Sequence, residues 1–268
     1  MFSELKQFIA QSTNDLPLTL SKILIWSVWL VYVGYLLLSD LPPGESLLHI
    51  TSKTLEEIFN LSLNFWFVLP IIFPSEAPIN NPTLEGLFNI VVTWAILFWG
   101  FVIDGRNQRF SIITFLIGTA FLTNVFFLPW LGLRQPNCQV PTNSLTFIEK
   151  IGESRILPSV LAVIFVISLG WATLVRPEYG DITTRWQALV ELLFSDRLAY
   201  SFLTDMLVFW LFQSWLVKDD MARRQWHNQK ILWLVRLVPF WGLIIYLWLR
   251  PSLELLEKQS ADNEVNKN

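Results

Sequence analysis

An all-α, polytopic membrane fold is what this sequence predicts, and three observations predict it. Of 268 residues, 53% are hydrophobic and only 15% charged, too little polar surface to coat a soluble globule of this size. The apolar residues fall into runs about as long as a bilayer core is thick. The runs show no period-two alternation, and backbone amides in hydrocarbon must be satisfied within their own segment, so helices are expected rather than barrel strands. Seven candidate spans result, at 17–38, 58–73, 84–103, 110–131, 156–175, 200–217 and 231–249, or six if the second is re-entrant.

The first run reads as a retained helix. A mixed-charge segment with Glu4, Lys6 and Asp15 precedes it, and Ser39-Asp40-Leu41-Pro42-Pro43 follows where a secretory signal would place small residues for cleavage. An organellar transit peptide is not expected either, because residues 1–16 lack an Arg-rich, acid-poor character. Span two is short, holds Asn60 and Asn64 one turn apart, and meets Pro70 and Pro74, so it reads as a crossing or a re-entrant hairpin. Pro78, Asn80, Asn81 and Pro82 then mark a turn. Spans three and four are joined only by 104–109, which makes them antiparallel neighbours. The segment 132–155, with Pro136, Asn137, Pro141, Asn143 and Gly152, has no helical period and separates a four-span unit, 17–131, from a three-span unit, 156–250. Within the second unit, Trp186, Leu189, Val190 and Leu193 space an interfacial amphipathic helix over 182–197. Spans five and seven both end in Arg-Pro, at Arg176-Pro177 and Arg250-Pro251, a cation at the negative helix end followed by a helix breaker. The tail, 251–268, is poor in apolar residues and is expected to be disordered.

Lys and Arg divide almost evenly between the two sides of a seven-span arrangement, so the positive-inside rule gives little direction. The loop 218–230, with Lys218, Arg223, Arg224 and Lys230, points to the cytoplasm, which would put the C-terminal tail on the opposite side. A net charge of -3 with no basic aromatic stripe argues against nucleic acid, leaving the lipid bilayer and other membrane proteins as expected partners. The single Cys138 forms no intrachain disulfide, and His49 and His227 are too few for a histidine-rich metal centre. No H-E-x-x-H or G-x-S-x-G string occurs.

Asp205 is read as the one acid inside a span and Arg236 as the one base. In a straight antiparallel hairpin of spans six and seven the two are offset by roughly 10 Å, so Asp205 is matched instead to Arg250, and Arg236 to Asp219 or Asp220. A hairpin clamp is the preferred meaning of these pairs, and a proton relay or polar ligand site the sharper one. Asp219-Asp220-Met221-Ala222-Arg223-Arg224 reads as a solvated loop, since a magnesium-pyrophosphate site needs a second acid cluster. Asn60, Asn64, Asn89 and Asn124, with Thr93, Thr119 and Thr123, supply interhelical hydrogen bonds or, alternatively, a polar cavity. Thr114 and Gly118 would let span four approach a neighbour closely. The 14 tryptophans suit interfacial anchoring; no cofactor is evident, and an aromatic pigment or quinone pocket stays open.

The stretches Leu84-Glu85-Gly86-Leu87-Phe88-Asn89, Gly100-Phe101-Val102-Ile103-Asp104-Gly105-Arg106 and Phe115-Leu116-Ile117-Gly118-Thr119-Ala120-Phe121-Leu122-Thr123-Asn124 resemble a family of multi-span membrane proteins of cyanobacteria and chloroplasts. The C-terminal part, through Leu193-Phe194, Arg197, Asp205, Arg223-Arg224 and Tyr246-Leu247-Trp248-Leu249-Arg250-Pro251, is similar to small membrane modules of the same organisms and distantly to the plant membrane protein required for neoxanthin formation. The resemblance implies a photosynthetic setting, a thylakoid or plasma membrane of a cyanobacterium, and supplies no activity. The expected function is that of a non-enzymatic accessory or assembly factor for a photosynthetic complex. The alternative is a membrane enzyme or carrier for a lipophilic isoprenoid such as a carotenoid or quinone, with Asp205 and Arg250 at its polar end. A small-solute transporter ranks third, because the sequence displays neither interrupted span pairs nor inverted repeats.

Overall fold

The computed structural model describes residues 18–136, 141 and 144–253, and these are all-helical, with no strand among them. The expectations for residues 1–16, for Cys138 and for the tail beyond Leu253 lie outside the described residues.

Helix α1 (Leu18–Val31) continues as π-helical turns through Leu38. Helix α2 (Ser52–Leu63) starts where the Thr51 side chain accepts from the Thr54 amide. It breaks at Asn64, where Trp66 and Phe67 take φ of 50° and 60°, and the short α3 (Val68–Ile72) leaves at a bend of 41°. Asn81 caps α4 (Pro82–Leu97) by accepting from the Thr83 and Leu84 amides, with Pro82 in the first turn where no N–H is needed. This helix tightens into 3-10 turns that run on to Gly105. Then come α5 (Ile112–Leu122), α6 (Asn124–Leu133), α7 (Phe147–Glu153, with a Thr146/Glu149 capping box), α8 (Ile156–Leu174), α9 (Ile182–Ser195), α10 (Arg197–Arg223), α11 (Gln229–Leu237) and α12 (Trp241–Leu249). Helix α7 lies inside the segment expected to lack a helical period; the capping box starts it, and the buried Glu149 and Gly152 seat it against Arg106 and the turns at Trp99 and Val102.

Three helical stretches are long and apolar enough to cross a membrane, Leu20–Leu38, Pro82–Gly105 and Ile156–Leu174, and the bent α2/α3 pair would make a fourth. Seven spans are not found. The 27-residue α10 is long enough but carries Asp205, Gln213 and a charged last turn, so its composition falls short. The runs expected as spans four and seven are each split into two short helices. The first splits at Thr123 (φ 42°, ψ −118°) and the second at Phe240 (φ 50°, ψ −65°), backbone geometries that no α-helix can pass through.

Each split run doubles back. At the base of the first, the Gln108 side chain bonds the Gln135 backbone in both directions, and a Cβ on Gly118 would lie 2.3 Å from the Phe126 ring, so α5 and α6 are antiparallel. In the second, a Cβ on Gly242 would lie 2.7 Å from the Leu234 carbonyl oxygen, and the Arg224 guanidinium reaches the Pro251 carbonyl, which returns α12 to the end where α11 began. Helices of nine to eleven residues rise about 14–17 Å, half a bilayer core. The expectation that Gln225 and the C-terminal side of span seven face opposite sides is therefore corrected for the described residues: the chain turns at 238–240 instead of running through.

The bases of both hairpins meet the ends of α4 and α10 at one end of the molecule, here the arginine end. At the far end, Arg197 donates to the carbonyls of Leu36, Ser39, Pro42 and Gly44, and Gly86 of α4 sits against Ser168 and Ala172 of α8. The long helices thus alternate in direction, with α1 and α8 running toward the far end and α4 and α10 back. A tandem repeat emerges. Trp94, Trp99, Asp104 and Arg134 recur at identical spacing as Trp210, Trp215, Asp220 and Arg250, with the Asp and Arg 30 residues apart in both copies. Each unit holds an outgoing long helix, a returning one and a hairpin, in the same orientation. Between them Phe98 stacks on Phe127 and both meet Phe209 edge-on, with ring centroids 4.4–5.1 Å apart in a fully buried core.

Candidate functional site

Three buried polar centres stand out. At the arginine end, Arg134 grips Asp104 through Nε at 2.7 Å and Asp219 through Nη2 at 2.6 Å. Arg223 bridges the equivalent acids of the two units, Asp104 at 2.9 Å and Asp220 at 3.0 Å. Asp220 also accepts from Arg224, from the Tyr246 hydroxyl at 2.7 Å and from Arg250 at 3.1 Å. Arg224 and Arg250 share Glu153, and Arg250 donates to the carbonyls of Gly100 and Gly152. Four guanidinium groups are thus balanced by four carboxylates. Arg223, Arg224 and Arg250 all converge on the buried Asp220 carboxylate, so its charge is compensated where it stands. On the rim, Arg106 makes a two-pronged pair with Glu149 at 2.6 and 2.7 Å, which lowers that carboxyl to about 2 against the opposing effect of its burial. The acid and arginine string expected as a solvated loop is instead the buried last turns of α10.

The second centre is Asp205, 2% exposed, at the tip of the first hairpin. Its Oδ1 accepts from the Tyr32 hydroxyl of α1 at 2.7 Å and from Asn124 Nδ2 of α6 at 2.7 Å. Tyr32 also meets the Thr123 hydroxyl at 3.3 Å. No basic group among the described residues pairs with Asp205, whereas every other buried carboxylate has an arginine within 4.0 Å. One turn beyond Tyr32, toward the far end, the hydroxyls of Tyr35 and Tyr200 lie 3.4 Å apart at the surface.

The third centre surrounds Glu85, fully buried in the first turn of α4, where its Oε2 accepts from Trp171 Nε1 at 3.0 Å and lies 3.9 Å from Arg176. Asn89 accepts the Trp66 backbone N–H at 2.6 Å and donates to the Asn64 carbonyl, so it fixes the break between α2 and α3. The side chain of Asn64 donates to the Pro78 carbonyl, and Asn60 takes a bond from Asn80 at its carbonyl.

The expected pairs are corrected by this geometry. Asp205 is not paired with Arg250, which belongs to Asp220, and Arg236 reaches neither Asp219 nor Asp220. Arg236 is exposed, with its guanidinium 5.1 Å above the Trp233 ring. The cause is the turn at 238–240, which brings α12 back toward the arginine end, where a continuous span would have carried it to the level of Asp205. The expected amide cluster divides in two: Asn60, Asn64 and Asn89 gather around Glu85, and Thr123 and Asn124 around Asp205. Thr93 is buried one turn from Asn89 with no hydrogen-bond partner for its hydroxyl, Thr119 bonds back to Phe115, and Thr114 is exposed. Sequence reasoning missed Glu85, which lies inside span three, and Asp104, Arg134 and Arg223 as buried charges. The duplicated Trp-x4-Trp-x4-Asp spacing and the shared aromatic-Leu-x-Leu-Arg ending at Arg134 and Arg250 were the available signal.

No group of acids, histidines or cysteines suited to a metal ion occurs among the described residues. No family model, curated protein or solved structure matches the chain.

Proposed function

We propose that the protein is a multi-pass membrane carrier in which α1, α4, α8 and α10 cross the bilayer and the two hairpins enter it from the arginine end. The observation that carries this reading is the pair of interrupted spans at corresponding positions of two tandem units, one of them ending on a buried carboxylate without a cation. In transporters, broken helices at the interface of repeats build the substrate and ion sites near the midplane. Charge supports the orientation. Outside the four long helices, the described arginine-end segments 98–155 and 224–253 hold nine Lys and Arg against three Asp and Glu, and the far-end segments 39–81 and 175–196 hold three against nine. A near tie in the seven-span arrangement becomes a clear bias that puts the arginine end in the cytoplasm. At the far end α9 packs Leu189, Leu192 and Leu193 inward and presents Ile182, Trp186 and Phe194 outward, as an interfacial helix does.

The second reading is the accessory factor of a photosynthetic membrane. The fully compensated ion network, which reads as a structural weld, and the resemblance to cyanobacterial and chloroplast proteins favour it. Purified protein reconstituted in vesicles separates the two. Solute or proton flux above that of protein-free vesicles supports a carrier, and no flux together with a stable native membrane complex supports the accessory role. A deletion strain that lacks or accumulates one isoprenoid overturns both in favour of an isoprenoid enzyme.

A further inference from the structure

We propose that Asp205 is a proton-loading site that opens to the acidic face of the molecule through Tyr32, Tyr35 and Tyr200, and that it supplies the coupling ion of the carrier; the coupling role rests on the carrier reading, the proton site does not. Asp205 stands eight residues along α10 from Arg197 at the far end and fifteen from Asp220, about 12 Å and about 22 Å of helix, so the acidic face is the nearer water. On that side Tyr35 is 41% exposed and meets the Tyr200 hydroxyl at the surface, one helical turn along α1 from Tyr32, which with Thr123 lies beside Asp205. The nine acids of the far-end segments raise the local concentration of cations there.

The surroundings select a proton over a metal ion. The Tyr32 hydroxyl and the Asn124 amide N–H both donate to Oδ1, and Asp205 is the one carboxylate here, too few anionic ligands for a metal ion. A hydronium ion breaks one O–H bond, gives its proton to the carboxylate and leaves as water, and the carboxylate becomes a neutral carboxyl. The titratable group facing Asp205 from α1 is Tyr32; the hairpin turn offers Thr123 and Asn124, which do not titrate, and among the described residues no charged side chain of the neighbouring helices pairs with it. Asn124 adds a further detail: its Oδ1 is buried without a partner, an acceptor left open beside the carboxylate. The second hairpin has no counterpart. Its tip is Phe240, stacked on Phe165 at 4.1 Å and edge-on to Trp94, so only one of the two units is equipped for this chemistry.

Infrared difference spectroscopy of the reconstituted full-length protein, titrated from alkaline to acid pH, tests the site. One carboxyl C=O band is expected to appear, to shift when the protein is labelled with carboxyl-13C aspartate, to vanish in Asp205→Asn and to persist in Glu85→Gln. A band that fails to shift with labelled aspartate, or that survives in a folded Asp205→Asn protein, overturns the proposal. The isotope experiment decides even if the variant does not fold. Tyr35→Phe should slow proton uptake after a pH jump from the acidic side while leaving the final band unchanged; unchanged kinetics would overturn the route. A proton site without flux in vesicles would retire the carrier reading and leave the site standing.

Discussion

Arg250 provides the sharpest test of the hairpin geometry. In Arg250→Gln the buried carbonyls of Gly100 and Gly152 lose their charged donor, while Asp220 keeps Arg223, Arg224 and Tyr246. Leaving buried acceptors short costs about 1–3 kcal/mol each, and breaking a buried ion pair about 3–5 kcal/mol, so a loss of roughly 3–5 kcal/mol is expected once the glutamine amide reclaims one carbonyl. Asp220→Asn should lose a similar amount, because three arginines are left with Glu153 and Asp104 to balance them. The double variant should recover about 1–3 kcal/mol relative to additivity, since the two side chains touch. Asp205→Asn with Arg250→Gln should instead be additive within about 0.5 kcal/mol, because the carboxylates of Asp205 and Asp220 stand about 22 Å apart along α10. Denaturant or thermal unfolding of the purified protein in detergent measures all five variants. Coupling in the Asp205 pair with none in the Asp220 pair would mean that α12 does not return to the arginine end, and the re-entrant second hairpin would be wrong.

Thiol labels or reporters at Asn107, Gln225 and Ser252 should all report one side of the membrane and those at Gly44 and Gly180 the other; Gln225 and Ser252 on opposite sides would restore a crossing for 231–249. Gly242→Ala should lower the melting temperature more than Gly100→Ala, because the new methyl meets the Leu234 carbonyl at 2.7 Å in the first and the movable Leu247 side chain at 2.9 Å in the second. Arg197→Lys should weaken the far end by about 2–4 kcal/mol, since an ammonium cannot span the carbonyls of Leu36, Ser39, Pro42 and Gly44; equal stability would show that the fork is dispensable. For the Arg106 and Glu149 pair the folded carboxyl titrates at about 2 and the unfolded one near 4.5, so its stabilisation is complete above the unfolded value and is lost as pH falls toward 2. Acid unfolding of Glu149→Gln should therefore show a shallower pH dependence between those values than the unmodified chain; identical curves would remove this pair from the account.

The helical class was legible because it depends on composition and run length, which no tertiary contact can reverse. The hairpins were not. Thr123 and Phe240 are ordinary helix residues by propensity, and Pro239 alone could have signalled only a kink, so the runs 110–131 and 231–249 looked continuous. What splits them is the combination of base and tip. Asp104 and Asp220 each draw back an arginine 30 residues later, a closure that periodicity along one helix does not register. Asp205 was legible as an intramembrane acid, yet its partner was misassigned because the level argument assumed a straight helix after Lys230. Glu85 was overlooked for a different reason: it sits in a first helical turn, where the amide dipoles favour an acid, and a carboxylate there draws no attention until Trp171 and Arg176 are seen to enclose it.

The duplication also explains why the two polar centres of the far half differ. By repeat spacing Asn89 of α4 corresponds to Asp205 of α10, and each stands where its long helix meets an outgoing helix of the other unit. At Asn89 the chain fills the place itself, because the strained turn at Trp66 and Phe67 presents a backbone N–H to the side chain, and that occupancy needs no charge. The second unit has only α9 where the first has the bent α2/α3 pair, and among the described residues Asp205 is met by the side chains of Tyr32, Thr123 and Asn124 instead of a backbone N–H from such a turn. A neutral amide suffices where the partner is permanent. A carboxylate, which can gain and lose a proton, stands buried at the matching position of the second unit, and that asymmetry between otherwise matched units is what the proposed proton site at Asp205 rests on.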